Sequence, residues 1–110
     1  MDKKAMFSQS MSGKTDKEII ETRERAIHFL ESKDFKVVND PFTDERYSSD
    51  TVTEEKSFKY PLWFLAKSLE GMSFCHAVYF CEGWEKDSRC KIEHDIAVAY
   101  GLEVLYENSK

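Results

Sequence analysis

The sequence lacks several features that would assign it to a specialised class of protein. None of its apolar runs approaches the roughly 20 residues that a membrane-spanning helix needs, and its N-terminus has no apolar signal-peptide core. It has no Lys/Arg-rich run and carries a net charge of −5, which argues against binding to nucleic-acid backbones. Its three cysteines form no CxxC pair, which favours reduced thiols over a secreted disulfide framework. We therefore expect a soluble, cytoplasmic protein that binds neither nucleic acid nor a membrane.

The composition fits a single small domain. The chain has 110 residues, of which 41% are hydrophobic and 34% are charged, and it contains no internal repeat or low-complexity tract. A chain of this length is near the common domain size and can fold alone. We predict one domain spanning residues 1–110.

Short apolar runs alternate with helical patterns along the chain. The predicted strands are Ala5–Ser10, Phe35–Asn39, Ala77–Phe80 and Val104–Tyr106. Buried strands that alternate with helices are typical of parallel sheets covered on both faces. We predict an α/β fold, a doubly wound flavodoxin-like or Rossmann-like three-layer sandwich with about four parallel strands in the order 2-1-3-4.

Terminal signals and periodicity define the first two helices between these strands. Thr15 and Glu18 form a capping-box pattern, and the helix that follows them should end near Lys33. The second helix is predicted over Phe58–Leu69, with Gly71 just past its end. Its wide apolar surface includes two aromatic residues that are candidates for a subunit contact or for the ligand cavity, Trp63 and Phe64.

The third helix carries the most informative polar residue, Glu93. Asp87 or Ser88 can cap this helix, and Gly101 stops it. Its predicted core stripe consists of Ile92, Ile96 and Ala99. Glu93 lies in the second turn, where partial burial and the helix dipole act on its carboxylate in opposite directions. Such a group can serve as a nucleophile, although a solvated surface glutamate is the alternative.

Two loops are candidate ligand sites. The loop Cys81–Ser88 follows the third strand, and ligands of open parallel sheets bind at the carboxyl ends of strands. Its candidate binding residues are Glu82, Gly83, Trp84 and Ser88. The loop Ser12–Lys14 opens onto a helix N-terminus and can offer backbone N–H groups and one cation to an anion or a sugar hydroxyl. It lacks the P-loop pattern, so an ordinary turn is the alternative.

Residues 42–57 are acidic and polar without periodicity, so we predict a long excursion there rather than a helix or strand. Arg46 and Tyr47 are its candidate ligand-facing residues, with plain solvent exposure as the alternative.

Four segments together resemble one family. They are Ser8–Lys14 (SQSMSGK), Pro61–Glu70 (PLWFLAKSLE), Gly83–Glu85 (GWE) and Cys90–His94 (CKIEH). The chain resembles short bacterial and phage proteins of the nucleoside 2-deoxyribosyltransferase-like superfamily, whose usual pattern is S-Q-P-M-x-G-K, P-L-W-[YF]-L-G-K-S-L-E and G-W-E-x-x-R-G-C-R-I-E-H. The match spans nearly the whole chain.

This resemblance implies a pocket for a nucleoside or nucleotide. The glutamate matching Glu93 attacks the sugar C1′, expels the base and forms a glycosyl-enzyme intermediate. Asp87 matches a carboxylate that helps to handle the base. The loop that closes over the sugar and any 5′-phosphate supplies Gln9, Ser10, Met11, Gly13 and Lys14.

Three residues depart from the family pattern. His76 stands where the superfamily has an aspartate, Arg89 stands where the pattern has glycine, and Ser10 replaces its proline. Loss of an orienting carboxylate should reduce the rate more than the affinity, because a misaligned nucleophile is penalised in the transition state. An arginine beside the pocket favours a phosphate-bearing ligand.

Two functions follow from these residues. The favoured hypothesis is a binding protein, such as a phage sponge or a sensor, that holds a nucleotide or an ADP-ribose-type signal with weak or lost turnover. The alternative is an N-glycosidic transferase or hydrolase acting on nucleosides or their 5′-monophosphates, with Glu93 as nucleophile and Asp87 or His76 handling the proton. Superfamily habit favours a homodimer or higher homo-oligomer.

We expect neither a cofactor nor a metal. Cys90 and His94 share a helix face, and Cys75 and His76 are the other metal-ligand candidates, but no zinc-motif spacing is present. No elbow or triad pattern indicates a Ser or Cys nucleophile.

Overall fold

The sheet is parallel throughout, and its strand order is the one predicted. The computed structural model describes residues 3–11, 13–38 and 60–107. Their elements are β1 (Lys3–Ser8), α1 (Asp16–Ser32), β2 (Phe35–Val37), α2 (Tyr60–Met72), β3 (Ala77–Phe80), a short 3-10 helix (Trp84–Lys86), α3 (Ser88–Ala99) and β4 (Glu103–Tyr106). The four strands lie in the order β2-β1-β3-β4, which confirms the doubly wound α/β sandwich.

Side-chain caps define where α1 and α3 begin. Thr15 Oγ1 accepts from the Glu18 N–H at 3.1 Å, and the Glu18 carboxylate accepts from the Thr15 N–H at 3.0 Å. The predicted capping box is therefore confirmed. Of the two residues predicted to cap α3, Asp87 is the one that does so, accepting from the Cys90 N–H at 3.0 Å.

One predicted helix end is wrong. Gly71 was expected just past the end of α2, but α2 extends to Met72 and contains it. Gly71 is buried and helical, so it does not terminate α2.

Alternate residues of the strands face two different helical layers. Ala5, Ala77 and Tyr79 pack with Ala26 and Leu30 of α1. On the opposite face the core cluster consists of Met6, Val78, Phe80, Met72 and Ala97. The two-residue period of the strands therefore produces two separate half-cores, one on each side of the sheet.

The predicted core stripe of α3 is wrong. Ile92 is 45% exposed and Ala99 is also exposed, whereas Ile96 packs partly against the core. The fully buried residues of this helix are Cys90, Glu93 and Ala97. These three lie at helical spacing, so α3 is rotated to bring Glu93 rather than Ile92 against the sheet.

The strand register aligns one edge of the sheet. Ser8 pairs with Phe80, and Phe80 pairs with Tyr106, so these three residues form a level row at the carboxyl edge. The chain leaves β1 toward β2 on one side and β3 toward β4 on the other. The gap between β1 and β3 at this edge is therefore the switch point at which such sheets bind ligands.

Within the described ranges, no helix combines the length and apolarity that crossing a membrane requires. The predicted excursion over residues 42–57, with Arg46 and Tyr47, lies outside the described residues, as do the side chains of Trp63 and Phe64.

Candidate functional site

A cluster of polar residues joins the carboxyl end of β1 to the first two turns of α3. We call it the polar bridge. Its members are Ser8, Gln9, Ser10, Asp87, Arg89 and Glu93. Three hydrogen bonds cross between the two segments: Ser8 to Glu93, Ser10 to Asp87, and Arg89 to the Gln9 carbonyl oxygen. These hydrogen bonds between the two segments therefore close one side of the switch point.

Glu93 is at the centre of the polar bridge and is 0% exposed. Its Oε1 accepts from the Ser8 hydroxyl, and its Oε2 accepts from Arg89 Nη1 at 2.8 Å. The alternative of a solvated surface glutamate is therefore excluded. Glu93 thus contacts the carboxyl end of β1 and the first turn of α3, and each of its carboxylate oxygens has an intramolecular partner.

Arg89 acts as the counterion of Glu93. Its side chain is only 13% exposed, and it also donates through Nη2 to the Gln9 carbonyl oxygen. Burial acts to lower the pKa of Arg89, but the Glu93 carboxylate, the hydrogen bond it accepts from Arg89, and electrostatic interactions with Cys90 and Asp87 together raise it. Arg89 is therefore a fixed cation whose guanidinium binds groups within the protein.

Asp87 joins the loop after β1 to the start of α3. Oδ1 caps the helix through the Cys90 N–H, and Oδ2 accepts from the Ser10 hydroxyl at 3.0 Å. Burial acts to raise the pKa of Asp87, but these two hydrogen bonds and the positive charge of Arg89 together lower it below its ordinary value. Asp87 is therefore ionised at neutral pH and has no proton to donate.

Gln9 has an unsatisfied acceptor at the carboxyl end of β1. The residue is 5% exposed, and its amide nitrogen donates to the Ile19 carbonyl oxygen at 3.1 Å. Its side-chain oxygen Oε1 is buried and has no hydrogen-bond partner. Buried polar atoms in native proteins nearly always have a partner, so Gln9 Oε1 is an exception at this end of β1.

The predicted glycine turn before α1 is present. The Lys14 N–H donates to the Met11 carbonyl oxygen at 3.2 Å, and Gly13 has a φ of +73° that favours glycine. Gly13 and Lys14 are exposed, and Met11 is partly buried. Ser12 lies outside the described residues.

The loop after β3 is built around a second left-handed glycine. Gly83 has a φ of +92° and precedes the 3-10 helix that begins at Trp84. The Trp84 ring stacks on His94 at a centroid distance of 4.2 Å. His94 Nε2 lies 2.6 Å from the Tyr106 hydroxyl. This loop therefore presents an aromatic cluster at the carboxyl edge of β3 and β4.

A short polar network fixes the same loop from the α1 side. Glu107 accepts from the Glu82 N–H at 2.7 Å through Oε1 and from Arg25 Nε at 3.3 Å through Oε2. Arg25 Nη2 also donates to Thr22 Oγ1 at 3.2 Å. The guanidinium of Arg25 is thereby oriented at the carboxyl edge of the sheet.

The structure does not bring His76 into this site. His76 immediately precedes β3, and its Nδ1 accepts from the Lys4 N–H at 3.1 Å. Because a strand rises about 3.3 Å per residue, it lies roughly 13 Å along β3 from the row containing Phe80. His76 is therefore at the amino edge, and the predicted proton-handling role beside Glu93 has no geometric support.

Among the described residues, the cysteines belong to no cluster that could hold a metal ion. No cluster of at least three candidate ligands among His, Cys, Asp and Glu occurs within residues 3–11, 13–38 and 60–107. Burial raises the pKa of Cys90 to about 12 and that of Cys75 to about 11, so these thiols stay protonated. Cys81 is also buried, and its pKa is raised for the same reason.

Several residues of this edge were not anticipated. Ser8 was predicted only as part of a strand and of a family motif, Arg25 as part of the first helix and Tyr106 as part of the last strand, and no role was predicted for Glu107. Glu107 could have been identified as a carboxylate immediately after a predicted strand, a position that faces the ligand edge of a parallel sheet.

A scan against protein-family models found no matching family, and searches of curated proteins and of solved structures found no significant match.

Proposed function

We propose that this protein binds a nucleoside or nucleotide-type ligand at the carboxyl edge of its sheet and holds it without chemical turnover. The ligand class rests on the family resemblance of the Gln9–Lys14, Gly83–Glu85 and Cys90–His94 segments, all of which meet near this edge. The observation that carries the proposal is that Glu93 is fully buried with each carboxylate oxygen hydrogen-bonded.

A covalent mechanism would need an accessible carboxylate oxygen. Reacting atoms must approach within about 3–3.5 Å before a bond can form. Because Glu93 is 0% exposed, a sugar C1′ could reach its carboxylate only after the packing around it had opened. Asp87, held ionised by its hydrogen bonds, is a poor general acid for a departing base.

The unpaired acceptor Gln9 Oε1 supports ligand binding independently of the burial of Glu93. Gln9 Oε1 can accept from a hydroxyl or an amino group, both of which a nucleoside carries. Leaving such an acceptor buried and unpaired costs about 1–3 kcal/mol, which a bound donor would offset. A sensor or a sequestering protein needs this kind of recognition without reaction.

The test combines equilibrium dialysis with chromatography. Wild-type protein is incubated overnight with each common ribo- and deoxyribonucleoside, each 5′-monophosphate, and ADP-ribose. We expect at least one of them to bind and to be recovered chemically unchanged.

Two results would overturn the proposal. One is a failure of every compound to bind. The other is release of free base by the wild type and by a Glu103→Gln variant, which alters an exposed carboxylate on β4, but not by Glu93→Gln. That second pattern would establish the glycosidic enzyme instead.

A further inference from the structure

Two cavities adjoin at the carboxyl edge of β3 and β4. Their volumes are about 570 and 590 Å³, within the usual range for small-molecule sites. They share four lining residues, Glu82, Gly83, Lys86 and Glu107. Because they share this wall, they form one groove that crosses the sheet edge from the α1 layer toward the α3 layer. We call it the edge groove.

The end of the edge groove toward α1 is cationic. The cavity there is also lined by Ser10, Lys14, Thr22 and Arg25. Arg25 is held in place by Glu107 and Thr22, so its guanidinium is oriented before any ligand arrives. Lys14 and the shared Lys86 are exposed and form no ion pair with a described residue. The three cations that line this cavity outnumber its two carboxylates, Glu82 and Glu107, although the chain carries a net charge of −5.

The other end of the edge groove is aromatic. Its additional lining residues are Trp84, Glu85 and Tyr106. The Trp84 ring is supported by its stack on His94, whose Nε2 lies 2.6 Å from the Tyr106 hydroxyl. The aromatic surface facing the groove is therefore rigid, which lowers the entropy lost when a planar ring stacks on it.

Carboxylates occupy the wall between these two ends. Glu82 and Glu107 present carboxylate oxygens there, which can accept from hydroxyl groups in addition to the hydrogen bonds that Glu107 already accepts. Lys86 lies on the same shared wall, so the edge groove has Lys14 and Arg25 at one end, a mixed wall of one lysine and two carboxylates in the middle, and an aromatic face at the other end. A nucleoside 5′-phosphate has the matching order of phosphate, sugar hydroxyls and base.

We propose that the edge groove binds a nucleoside 5′-phosphate lengthwise, with the phosphate at Lys14, Arg25 and Lys86 and the base at Trp84 and Tyr106. This inference rests on the proposed function and makes it more specific. It assigns the phosphate to residues other than Arg89, whose side chain is only 13% exposed and is paired with the buried Glu93; the Arg25 side chain is paired with Glu107 but is 57% exposed. It also places the base beside β4 rather than against Glu93.

Charge reversal in the edge groove tests the phosphate position. Lys14→Glu/Lys86→Glu changes two exposed lysines, and Lys17→Glu/Lys36→Glu changes two exposed lysines outside the groove lining by the same net charge. Equilibrium dialysis with each common nucleoside 5′-monophosphate and its nucleoside gives the affinities. We expect the groove variant to bind the monophosphate at least about tenfold more weakly and the nucleoside within about twofold, with the control unchanged.

Fluorescence tests the position of the base. The chain has two tryptophans, Trp63 and Trp84. We expect the monophosphate to quench wild-type emission, and Trp84→Phe to retain binding but lose most of the quenching. Full quenching in Trp84→Phe would overturn the assignment of the base.

The remaining outcomes separate this inference from the proposed function. If the wild type binds no nucleoside or nucleotide, both fail together. If it binds a monophosphate and the Lys14→Glu/Lys86→Glu variant binds it equally well, only the edge-groove inference fails. Competition by inorganic phosphate at the same concentration as the nucleotide would also overturn it, because the groove would then recognise an anion alone.

Discussion

The two faces of the sheet are covered by helices that follow different rules. On one face, α1 leaves Ile20 47% exposed, but its buried residues, Ala26 and Leu30, are both apolar. On the other, α3 buries Glu93 while leaving Ile92 45% and Val98 58% exposed. A helix that exposes large apolar residues and buries a charge contradicts the usual binary pattern, and such contradictions concentrate at functional sites.

This difference indicates that substitutions under α1 should affect mainly stability, whereas the orientation of α3 is constrained by the candidate site. The contacts of α1 with the sheet are apolar and non-directional, so they stabilise the fold without specifying chemistry. The polar bridge instead holds α3 in one rotation through directional, charge-assisted hydrogen bonds. A buried ion pair gives little net stability, so its structural contribution here is orientation.

The largest expected effect comes from breaking the buried pair on one side. Glu93→Ala should lower the free energy of unfolding by about 3–5 kcal/mol, because Arg89 would remain as an unpaired and largely buried cation. Urea unfolding at pH 7 measures this loss. The double variant Arg89→Met/Glu93→Met should recover most of it, since apolar replacement of a buried pair is often neutral or stabilising. A double variant as unstable as Glu93→Ala would contradict the ion-pair explanation.

A second pair of variants compares apolar residues on the two helices. Leu30→Ala should cost about 3 kcal/mol, because Leu30 is 0% exposed and its removal leaves a cavity in the α1 half-core. Ile92→Ala should cost about 0.5 kcal/mol or less, since Ile92 is 45% exposed and alanine favours the helix. Urea unfolding measures the loss of stability in both variants. Similar losses for the two variants would show that α3 packs Ile92 as α1 packs Leu30.

The smallest expected effect depends on pH and concerns Asp87. Its pKa is lowered in the folded protein, so the stability it contributes is present above its unfolded value near 3.8 and is lost as the pH falls through the folded pKa. Asp87→Asn keeps a capping side chain but cannot ionise. The difference in unfolding free energy between wild type and Asp87→Asn should therefore shrink as the pH falls from 6 toward 3.

Asp95→Asn controls for net charge in that experiment, since the Asp95 side chain is 87% exposed in the same helix. A wild-type advantage over Asp87→Asn that stays constant down to pH 3 would contradict the assigned hydrogen bonds.

Much of the fold was predictable because local signals agreed with one another. The apolar run Ala77–Phe80 is β3, and Thr15 with Glu18 caps α1 as expected. The rotation of α3 was not predictable from the same kind of pattern. Ile92 and Ile96 have helical spacing, and nothing in hydrophobic periodicity favours a buried glutamate over an isoleucine.

Part of the candidate site was likewise predictable from the sequence, and part was not. The carboxyl-edge location of Cys81–Ser88 followed from the strand that precedes it, and the structure places that loop at this edge. The partners of Glu93 could not be predicted from the sequence, because Ser8 and Glu93 are separated by 85 positions in the chain. His76 was grouped with Glu93 by family position, whereas the direction of β3 places it at the opposite edge.

The sequence by itself determined the strands and the capping residues of α1 and α3, because these depend on residues close together in the chain. The alternation of strands and helices also predicted the strand order, although the pairing of β1 with β3 joins residues far apart in the chain. Tertiary structure alone decided that Glu93 would be buried, that Arg89 would neutralise it, and that Lys14, Lys86 and Trp84 would line one groove. These features depend on which side chains meet when β1, β3 and α3 pack, and a polar group's partner sets its charge, its exposure and its chemistry.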